Sequence, residues 1–356
     1  MKIVVYAITK NEEKFVNRWY NSMKEADDIY VLDTGSTDNT VELLSKLGVH
    51  VKTEIINPWR FDVARNKSLD LVPQDTDICV CTDIDEVFTS GWRKKLEEVF
   101  NDSNRLRYNY IWSFDKYGNP AVNFYQEKIH SRLGYTWVNP VHEVLKCSLG
   151  NEKITTTDEI TLKHFPDTTK SRSSYLPLLE LAVKEDPNND RNMHYLGREY
   201  MFYGRYDEAI STLKKHLNMP TATWKDERCA SLRFISRCYR LKKDYIEALK
   251  YGLIAISESP NIREPYLETA YVYYELNNYK MCSLYLEAAL LIKGNQKVYI
   301  NDPNCYNGTL EDLLAVCYYY LKKYDLSLEY VNKALAIDPE NERINNNKEL
   351  IKLKIN

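Results

Sequence analysis

Residues 77–86 read DICVCTDIDE, an apolar run that ends in three acidic residues. The run has the length and composition of a buried strand, and it predicts a strand over residues 77–82. Because side chains alternate along a strand, Asp83 and Asp85 leave the sheet on the same side. Two carboxylates at this spacing can bind a hard divalent cation, Mn²⁺ or Mg²⁺, together with the phosphates of a substrate.

Amphipathic stretches separate this run from three similar ones upstream. The four predicted strands cover residues 3–8, 28–33, 49–56 and 77–82. The predicted helices between them cover residues 11–26, 37–47 and 62–71. Strands that alternate with helices indicate a parallel sheet with right-handed crossovers, and ligands of such sheets bind at the carboxyl ends of the strands.

The alternation stops after residue 89. A helix is predicted over residues 90–100, and strands of a mixed extension are predicted over residues 106–112, 121–125, 128–133 and 160–165. The polar stretch 166–174 then marks a domain boundary. We therefore expect one domain over residues 1–168 and a second over residues 169–356.

A short motif recurs in the second half, which predicts helices almost throughout. The fragment YGRYDEAI at 203–210 returns as KKDYIEAL, NNYKMCSL and KKYDLSLEY. The aligned tyrosines are Tyr206, Tyr245, Tyr279 and Tyr324, at intervals of 39, 34 and 45 residues. The small residues three positions later are Ala209, Ala248, Cys282 and Ser327. Prolines that end a helix follow in three of the four units, at Pro220, Pro260 and Pro339. About four helix pairs are predicted.

Composition excludes several classes of protein. The 48 basic and 51 acidic residues leave no basic excess of the kind that nucleic-acid binders usually carry. No apolar run approaches the 18 or so residues of a transmembrane helix, and the first apolar run, 3–8, is too short for a secretory signal. The eight cysteines include no CxxC pair, which favours buried, reduced thiols in a cytoplasmic protein over disulfides or zinc.

A second polar cluster, DTGSTDNT at 33–40, follows the second strand. Gly35 permits a tight turn, and Thr37 or Asp38 can cap the helix that begins there. Asp33 stands at the carboxyl end of the strand, where a carboxylate can accept hydrogen bonds from a base or a ribose. An ordinary strand–turn–helix connection would explain the same residues.

Four motifs taken in order carry a resemblance to a known family. ITKNEE at 8–13, VLDTGSTDNT at 31–40, FDVARNKSL at 61–69 and CTDIDE at 81–86 resemble the nucleotide-sugar half of family 2 glycosyltransferases. The later repeats resemble tetratricopeptide repeats, whose period is about 34 residues. The resemblance implies an α/β, Rossmann-like GT-A catalytic domain followed by an all-α tetratricopeptide-repeat solenoid. This combination is similar to the peptide S-glycosyltransferases of bacteriocins and to flagellin-modifying glycosyltransferases.

The resemblance also implies roles for single residues. The donor-binding residues that it implies are Thr9, Asn11, Glu12, Asp33, Arg65, Asn66 and Asp83. Asp83 and Asp85 are its metal ligands, and Asp85 is the direct one.

The segment WVNPVHE at 137–143 resembles the acceptor side of the same enzymes. A neutral histidine can complete a metal site begun by carboxylates, so His142 is the third candidate ligand. Glu143 is the candidate general base, with Glu86 as the alternative. Neighbours on a regular strand point in opposite directions, so His142 and Glu143 can share a site only if a loop or bulge interrupts the strand. A QxxRW motif is absent, which argues against a processive polysaccharide synthase.

The expected activity is an inverting, metal-dependent transfer of a hexose or N-acetylhexosamine from a UDP-sugar, UDP-glucose or UDP-N-acetylglucosamine. The expected acceptor is a Ser, Thr or Cys side chain of a bacteriocin-like peptide or a flagellin, held with help from the repeats, which can also pair two subunits. Two alternatives stay open: an acceptor that is a glycan or a lipid-linked sugar, and an inactive scaffold whose repeats bind a partner.

Overall fold

The computed structural model describes residues 1–168, 175–294 and 297–355. The chain forms two compact units, Met1–Ala182 with Lys297–Tyr299, and Val183–Gln296 with Ile300–Asn356. The boundary expected after residue 168 adjoins residues 169–174, which lie outside the described part of the chain, so it stays a prediction.

Ten strands lie in the described part of the first unit. They are β1 (Ile3–Thr9), β2 (Asp28–Asp33), β3 (His50–Thr53), β4 (Ile78–Asp83), β5 (Glu86–Phe88), β6 (Arg105–Phe114), β7 (Pro120–Ser131), β8 (Tyr135–Val138), β9 (Val144–Cys147) and β10 (Ile154–His164). Eight of them form one sheet in the order β3-β2-β1-β4-β7-β6-β10-β5, and β8 pairs with β9. The predicted parallel half is confirmed, since β1 pairs in parallel with β2 and β4, and β2 with β3. Beyond β4 the pairing turns antiparallel at β7 and mixed thereafter.

The helices of this unit are α1 (Glu13–Met23), α2 (Thr40–Lys46), α3 (Phe61–Asp70), α4 (Trp92–Val99) and the start of α5 (Tyr175–Glu185). Every residue of β1 is buried, as expected for a strand covered on both faces. Trp19 of α1 and Trp92 of α4 pack on one face of the sheet, whereas Leu69 of α3 and Trp137 of β8 pack on the other.

Several predicted bounds were wrong. The strands predicted over residues 121–125 and 128–133 are parts of the single strand β7, which ends at Ser131, and β10 begins six residues earlier than expected. The short strands β5, β8 and β9 were not predicted. Helix α1 begins at Glu13 rather than at Asn11, because Asn11 has a φ of 55° and belongs to a turn that is bonded to the loop after β2.

The second unit is helical, as predicted. After α5 its helices are α6 (Asp190–Phe202), α7 (Tyr206–Asn218), α8 (Lys225–Leu241), α9 (Tyr245–Glu258), α10 (Glu264–Glu275), α11 (Tyr279–Leu291), α12 (Thr309–Tyr320), α13 (Tyr324–Ile337) and α14 (Glu342–Ile355). Each of the four aligned tyrosines is the first residue of the second helix of a pair. The four small residues three positions later are fully buried, and Pro220, Pro260 and Pro339 each stand two positions beyond a helix end.

The cysteines are mostly buried, as expected. All eight thiols are unpaired, and only Cys147 is not buried. Burial raises the pKa of Cys79 to about 12 and that of Cys81 to about 11, so both are neutral thiols at pH 7. Across the described residues, no helix is long and apolar enough to cross a membrane.

Candidate active site

Three predicted site residues meet at the carboxyl edge of the parallel strands. In the strand register Thr9 pairs with Asp33, and Ile8 pairs with Asp83. Thr9 Oγ1 is buried and has no hydrogen-bond partner among the described residues. An orphaned hydroxyl at a strand end leaves a polar group for a ligand to satisfy.

The loops after β1 and β2 are bonded to each other. The Thr37 N–H donates to Asn11 Oδ1 over 2.7 Å, and the Glu12 N–H donates to Thr40 Oγ1 over 2.8 Å. Asp33 is 1% exposed, and its carboxylate accepts the N–H groups of Gly35 and Ser36 at 3.1–3.2 Å. Asn11 and Asp33 therefore shape these loops, and their contacts with a nucleotide stay predictions.

Asp83 is held between two cations. Arg65 donates to Asp83 Oδ1 over 2.5 Å, and Lys128 Nζ donates to Asp83 Oδ2 over 2.8 Å and to Glu86 Oε1 over 3.4 Å. Arg65 also donates through Nε to Glu143 Oε1 over 2.9 Å. We call Arg65, Asp83, Glu86 and Lys128 the inner layer of the edge.

The electrostatics of the inner layer follow from burial and pairing. Burial raises the pKa of Asp83, but the opposite effect of the cations Arg65 and Lys128 is larger. The pKa of Asp83 therefore lies well below the usual range. Burial raises the pKa of Glu86, which is 1% exposed. Burial lowers the pKa of Lys128, yet Asp83 and Glu86 outweigh that effect and raise it. Asp83 and Lys128 are therefore both charged at neutral pH.

Asp85 lies in a second, outer layer with His164 and Trp112. Asp85 Oδ2 is 3.3 Å from His164 Nε2, and the two side chains are 20% and 10% exposed. His164 Nδ1 is 3.1 Å from the carbonyl oxygen of Trp112, and the two rings stack at 4.4 Å. If Nδ1–H donates to that carbonyl, Nε2 is left facing Asp85. Burial lowers the pKa of His164, but its bond to Asp85 outweighs that effect and raises it.

The predicted metal ligands do not converge. Both oxygens of Asp83 already accept from cations. Among the described residues, Asp83, Asp85 and His142 do not bring one ligand atom each within 4.8 Å of one another. Asp85 and His164, a carboxylate and an imidazole, are the pair that fits a divalent ion at this edge. The metal set that includes Asp83 and His142 stays a prediction.

The segment between β8 and β9 is a turn. Asn139 and His142 have φ values of 79° and 51°, so no regular strand forces His142 and Glu143 to opposite sides. The Glu143 side chain is 11% exposed. Glu86 is less accessible, because its Oε2 accepts the Asp83 N–H and its Oε1 accepts the Tyr110 hydroxyl, both over 2.8 Å.

Asn66 serves the fold through both ends of its amide. Its Nδ2 donates to the Trp137 carbonyl and its Oδ1 accepts the Trp137 N–H, each over 2.8 Å. This pair of bonds fixes β8 against α3. The predicted role of Asn66 near a base or diphosphate stays a prediction.

Sequence reasoning missed Lys128 and the stacking of Trp112 on His164. Val80 of β4 pairs with Ile129 of β7, so Lys128 comes level with the end of β4. The sequence does place Lys128 in a strand whose other residues are largely half-buried, which is an unusual position for a lysine. The local sequence pattern does not show which strand pairs with β7, so the contact with Asp83 could not be predicted.

Comparisons with known proteins agree with this architecture. Residues 4–143 match the family described as Glycosyl transferase family 2, and residues 312–341 match the Tetratricopeptide repeat family. The chain therefore carries a family 2 glycosyltransferase domain at its amino end and tetratricopeptide repeats at its carboxyl end.

Two relatives illustrate the extent of the similarity. An uncharacterised glycosyltransferase of Rickettsia bellii is 32% identical over 108 residues, which cover 30% of this chain and 35% of that protein. The chain thus spans about a third of the length of such rickettsial relatives. The SPbeta prophage-derived glycosyltransferase SunS of Bacillus subtilis is 24% identical over 310 residues, which cover 79% of this chain and 68% of SunS.

A solved structure is similar to part of the chain. It is a thermophilic tetratricopeptide-repeat protein of Thermus thermophilus, 20% identical, with a TM-score of 0.38. The similarity covers 51% of this chain and 90% of that protein.

Proposed function

We propose that this protein is an inverting, metal-dependent glycosyltransferase. It moves a hexose or N-acetylhexosamine from a UDP-sugar to a Ser, Thr or Cys side chain of a protein or peptide. The observation that carries the proposal is the carboxyl edge of the parallel sheet, where Thr9, Asp33, Asp83 and Asp85 stand at neighbouring strand ends within the matched segment.

In this proposal the two layers of the edge have different tasks. Asp85 and His164 would hold a divalent ion, which would supply positive charge that stabilises the diphosphate of the leaving group. Arg65 and Lys128 keep the Asp83 carboxylate ionised and hold it in place. The loops after β1 and β2 receive the nucleoside, and the orphaned Thr9 hydroxyl offers it a hydrogen bond.

Glu143 is the proposed general base. It takes the proton from the acceptor hydroxyl or thiol as that atom bonds to the anomeric carbon and the bond to UDP breaks. Its partial exposure and its place in a turn support this choice over Glu86, whose two oxygens are bonded inside the fold.

The repeats support a protein or peptide as the acceptor, because stacked helix pairs leave an extended concave face. A bacteriocin-like peptide or a flagellin remains the expected acceptor class, and pairing of two subunits through the repeats remains open to test. The eight unpaired thiols support a reducing compartment, the cytoplasm, as the place of action.

The test is the release of UDP from a panel of UDP-sugars with Mn²⁺, with wild type and Asp85→Asn in parallel and no acceptor added. We expect slow, metal-dependent hydrolysis of one donor by wild type only. Neither release nor metal-dependent binding of UDP would favour the inactive scaffold. Transfer to a glycan but to no peptide would favour the carbohydrate acceptor.

A further inference from the structure

A buried polar cluster lies in the first two helix pairs of the repeats, outside the glycosyltransferase domain. It consists of Asp190 and His194 on α6, His216 on α7, and Glu227 and Ser231 on α8. His194 and His216 have no exposed surface, and Glu227 is 3% exposed. Groups of this kind are rarely buried together without a function or a bound partner.

The cluster has two levels, since residues four apart share one face of a helix. Asp190 lies one turn before His194, and Glu227 lies one turn before Ser231. One carboxylate oxygen from each acid and one ring nitrogen of His216 lie within 4.8 Å of one another. His216 Nε2 is 3.5 Å from Glu227 Oε1.

The second level sets which nitrogen of His216 is available. Ser231 Oγ is 2.9 Å from His216 Nδ1 and 2.8 Å from His194 Nδ1. A hydroxyl has one proton, so Ser231 can donate to only one of these two rings. When His216 Nδ1–H donates to Ser231, and Ser231 donates to His194, His216 Nε2 keeps its lone pair.

In that arrangement the lone pair is in an unusual position. His216 Nε2 is buried and has no hydrogen-bond partner among the described residues. It faces the two carboxylates, one of which, Glu227, also has Arg191 Nε 3.7 Å from its other oxygen. A ligating imidazole that donates from its far nitrogen, beside a carboxylate that is itself held in place, is the usual environment of a bound metal ion.

We propose that Asp190, His216 and Glu227 form a binding site for a divalent transition-metal ion, with Zn²⁺ as the best fit. One imidazole nitrogen and two carboxylate oxygens are Zn²⁺ ligands, and a water molecule completes a tetrahedral set. Binding draws the three ligand atoms closer than their present 4.8 Å limit. Asp190 is partly exposed, which gives the ion a path from solvent.

The ion would link α6, α7 and α8, and so join the first repeat to the second. Because the ligands come from three helices, binding stabilises the folded repeats relative to the unfolded chain. This site is independent of the donor-binding edge, so it stands or falls apart from the proposed activity.

The test uses the full-length chain with the Asp85→Asn change, which removes the outer-layer carboxylate as a competing ligand. Metal is stripped with a chelator, and Zn²⁺ binding is measured by calorimetry and by elemental analysis after desalting. We expect one Zn²⁺ per chain. We expect Asp190→Asn and His216→Gln each to weaken binding at least tenfold, and Co²⁺ to give a visible absorption band that both changes abolish.

The matched control is His50→Gln. His50 Nε2 lies 2.9 Å from Asp28 Oδ1, so it forms a histidine–carboxylate pair like that of His216, but the pair is exposed and is not part of a three-residue cluster. Its loss should leave binding unchanged. If His216→Gln unfolds, Asp190→Asn decides, because it changes a partly exposed side chain into one of equal size. No bound Zn²⁺, or equal binding in Asp190→Asn and its parent, would overturn the proposal.

Discussion

The two layers of polar side chains at the carboxyl edge differ in how their charges are balanced. In the inner layer, the cations Arg65 and Lys128 face Asp83 and Glu86 across hydrogen-bond distances. In the outer layer, Asp85 faces the His164 imidazole, and its side chain is 20% exposed, compared with 35% for Asp83. Two aspartates that are two positions apart in sequence therefore have different surroundings. The inner one is a part of the fold, and the outer one is available for binding.

This difference explains how one acidic motif can contain both a carboxylate that stabilises the fold and a carboxylate that is available for binding. A carboxylate whose two oxygens already accept from cations binds a further ion poorly. Replacing that carboxylate would leave the cations unpaired. A carboxylate that faces an imidazole, as Asp85 does, can bind and release an ion without leaving Arg65 and Lys128 unpaired. The predictions below ask whether this division of roles holds.

The largest expected effect is on turnover. Asp85→Asn should lower the rate of sugar transfer by about 10²–10³-fold, the usual loss when one electrostatic group of an active site is removed. The midpoint of urea unfolding should not move, because Asp85 lies in the outer layer. The rate and the midpoint are measured on the same preparation. Asp83→Asn should show a lower midpoint as well as a lower rate, and an unchanged midpoint would remove the distinction between the layers.

The next effect concerns Glu143, which touches the inner layer through Arg65 yet is proposed to act on the acceptor. Glu143→Gln should reduce transfer by about 10²-fold or more, as for the loss of a general base. The Kd for UDP, measured by calorimetry, should be unchanged, since the amide still accepts from Arg65. Glu86→Gln is the matched comparison, and it should lower the stability of the fold rather than the rate of transfer. A rate loss confined to Glu86→Gln would exchange the two assignments.

The parts of the molecule that could be predicted are those whose structure leaves a pattern in the local sequence. The strands β1, β2 and β4 are apolar runs because both faces of each are covered, and burial on both faces is visible in a single segment. The tyrosines that open α7, α9, α11 and α13 repeat because each helix pair packs in the same way. Such local signals also put Asp33 and Asp83 at strand ends.

The parts that were not predicted depend on partners far along the chain. Lys128 is 45 residues from Asp83, and its strand has a mixed pattern that does not reveal β4 as its neighbour. The strand β8 has four residues and is set by the bonds between Asn66 and Trp137, 71 residues apart. The cations that neutralise Asp83 are distant in sequence, so the residues next to the motif do not indicate them. Asp83 and Asp85 therefore look equivalent in the sequence.

A third prediction tests the inner layer through its lysine. Lys128→Met leaves Glu86 buried beside Asp83 without the cation between them. We expect a loss of about 2–3 kcal/mol in the free energy of unfolding, at the lower end for a broken buried pair, since about a third of the Asp83 side chain is exposed. Urea titration of the full chain measures it. Lys146→Met on β9 is the exposed control and should change stability by less than about 0.5 kcal/mol. Equal effects of the two changes would contradict the pairing.

The last prediction is a pH dependence that arises behind the inner layer, at His130. Burial lowers the pKa of His130 to about 3. The Trp137 indole donates to the Tyr6 hydroxyl, which lies 2.8 Å from His130 Nε2, while Nδ1 lies 2.8 Å from the Ser131 carbonyl. A neutral ring satisfies this chain, because Nδ1–H donates to the carbonyl and Nε2 accepts from the hydroxyl.

The sign follows from the two states of the ring. In the unfolded chain a histidine takes up its proton near pH 6.5, whereas folded His130 does so only near pH 3. The stabilising contribution is therefore complete above pH 6.5 and is lost as the pH falls towards 3, by up to about 1.4 kcal/mol per unit. His130→Gln should flatten this slope. The Asp83 carboxylate does not interfere with this measurement. Its stabilising contribution is lost mainly below the pKa of an aspartate in the unfolded chain, which is near 3.9.

The measurement is the difference in unfolding free energy between wild type and His130→Gln from pH 7 to pH 4.5. Subtracting the two curves removes Glu86, His164 and the buried His194, which titrate in both proteins. The curves should converge as the pH falls, because only wild type carries the cost of charging His130. Parallel curves would mean that the ring can be protonated within the fold. The Tyr6–His130 bond would then tolerate a charge, and burial behind the inner layer would be less complete than its 0% exposure indicates.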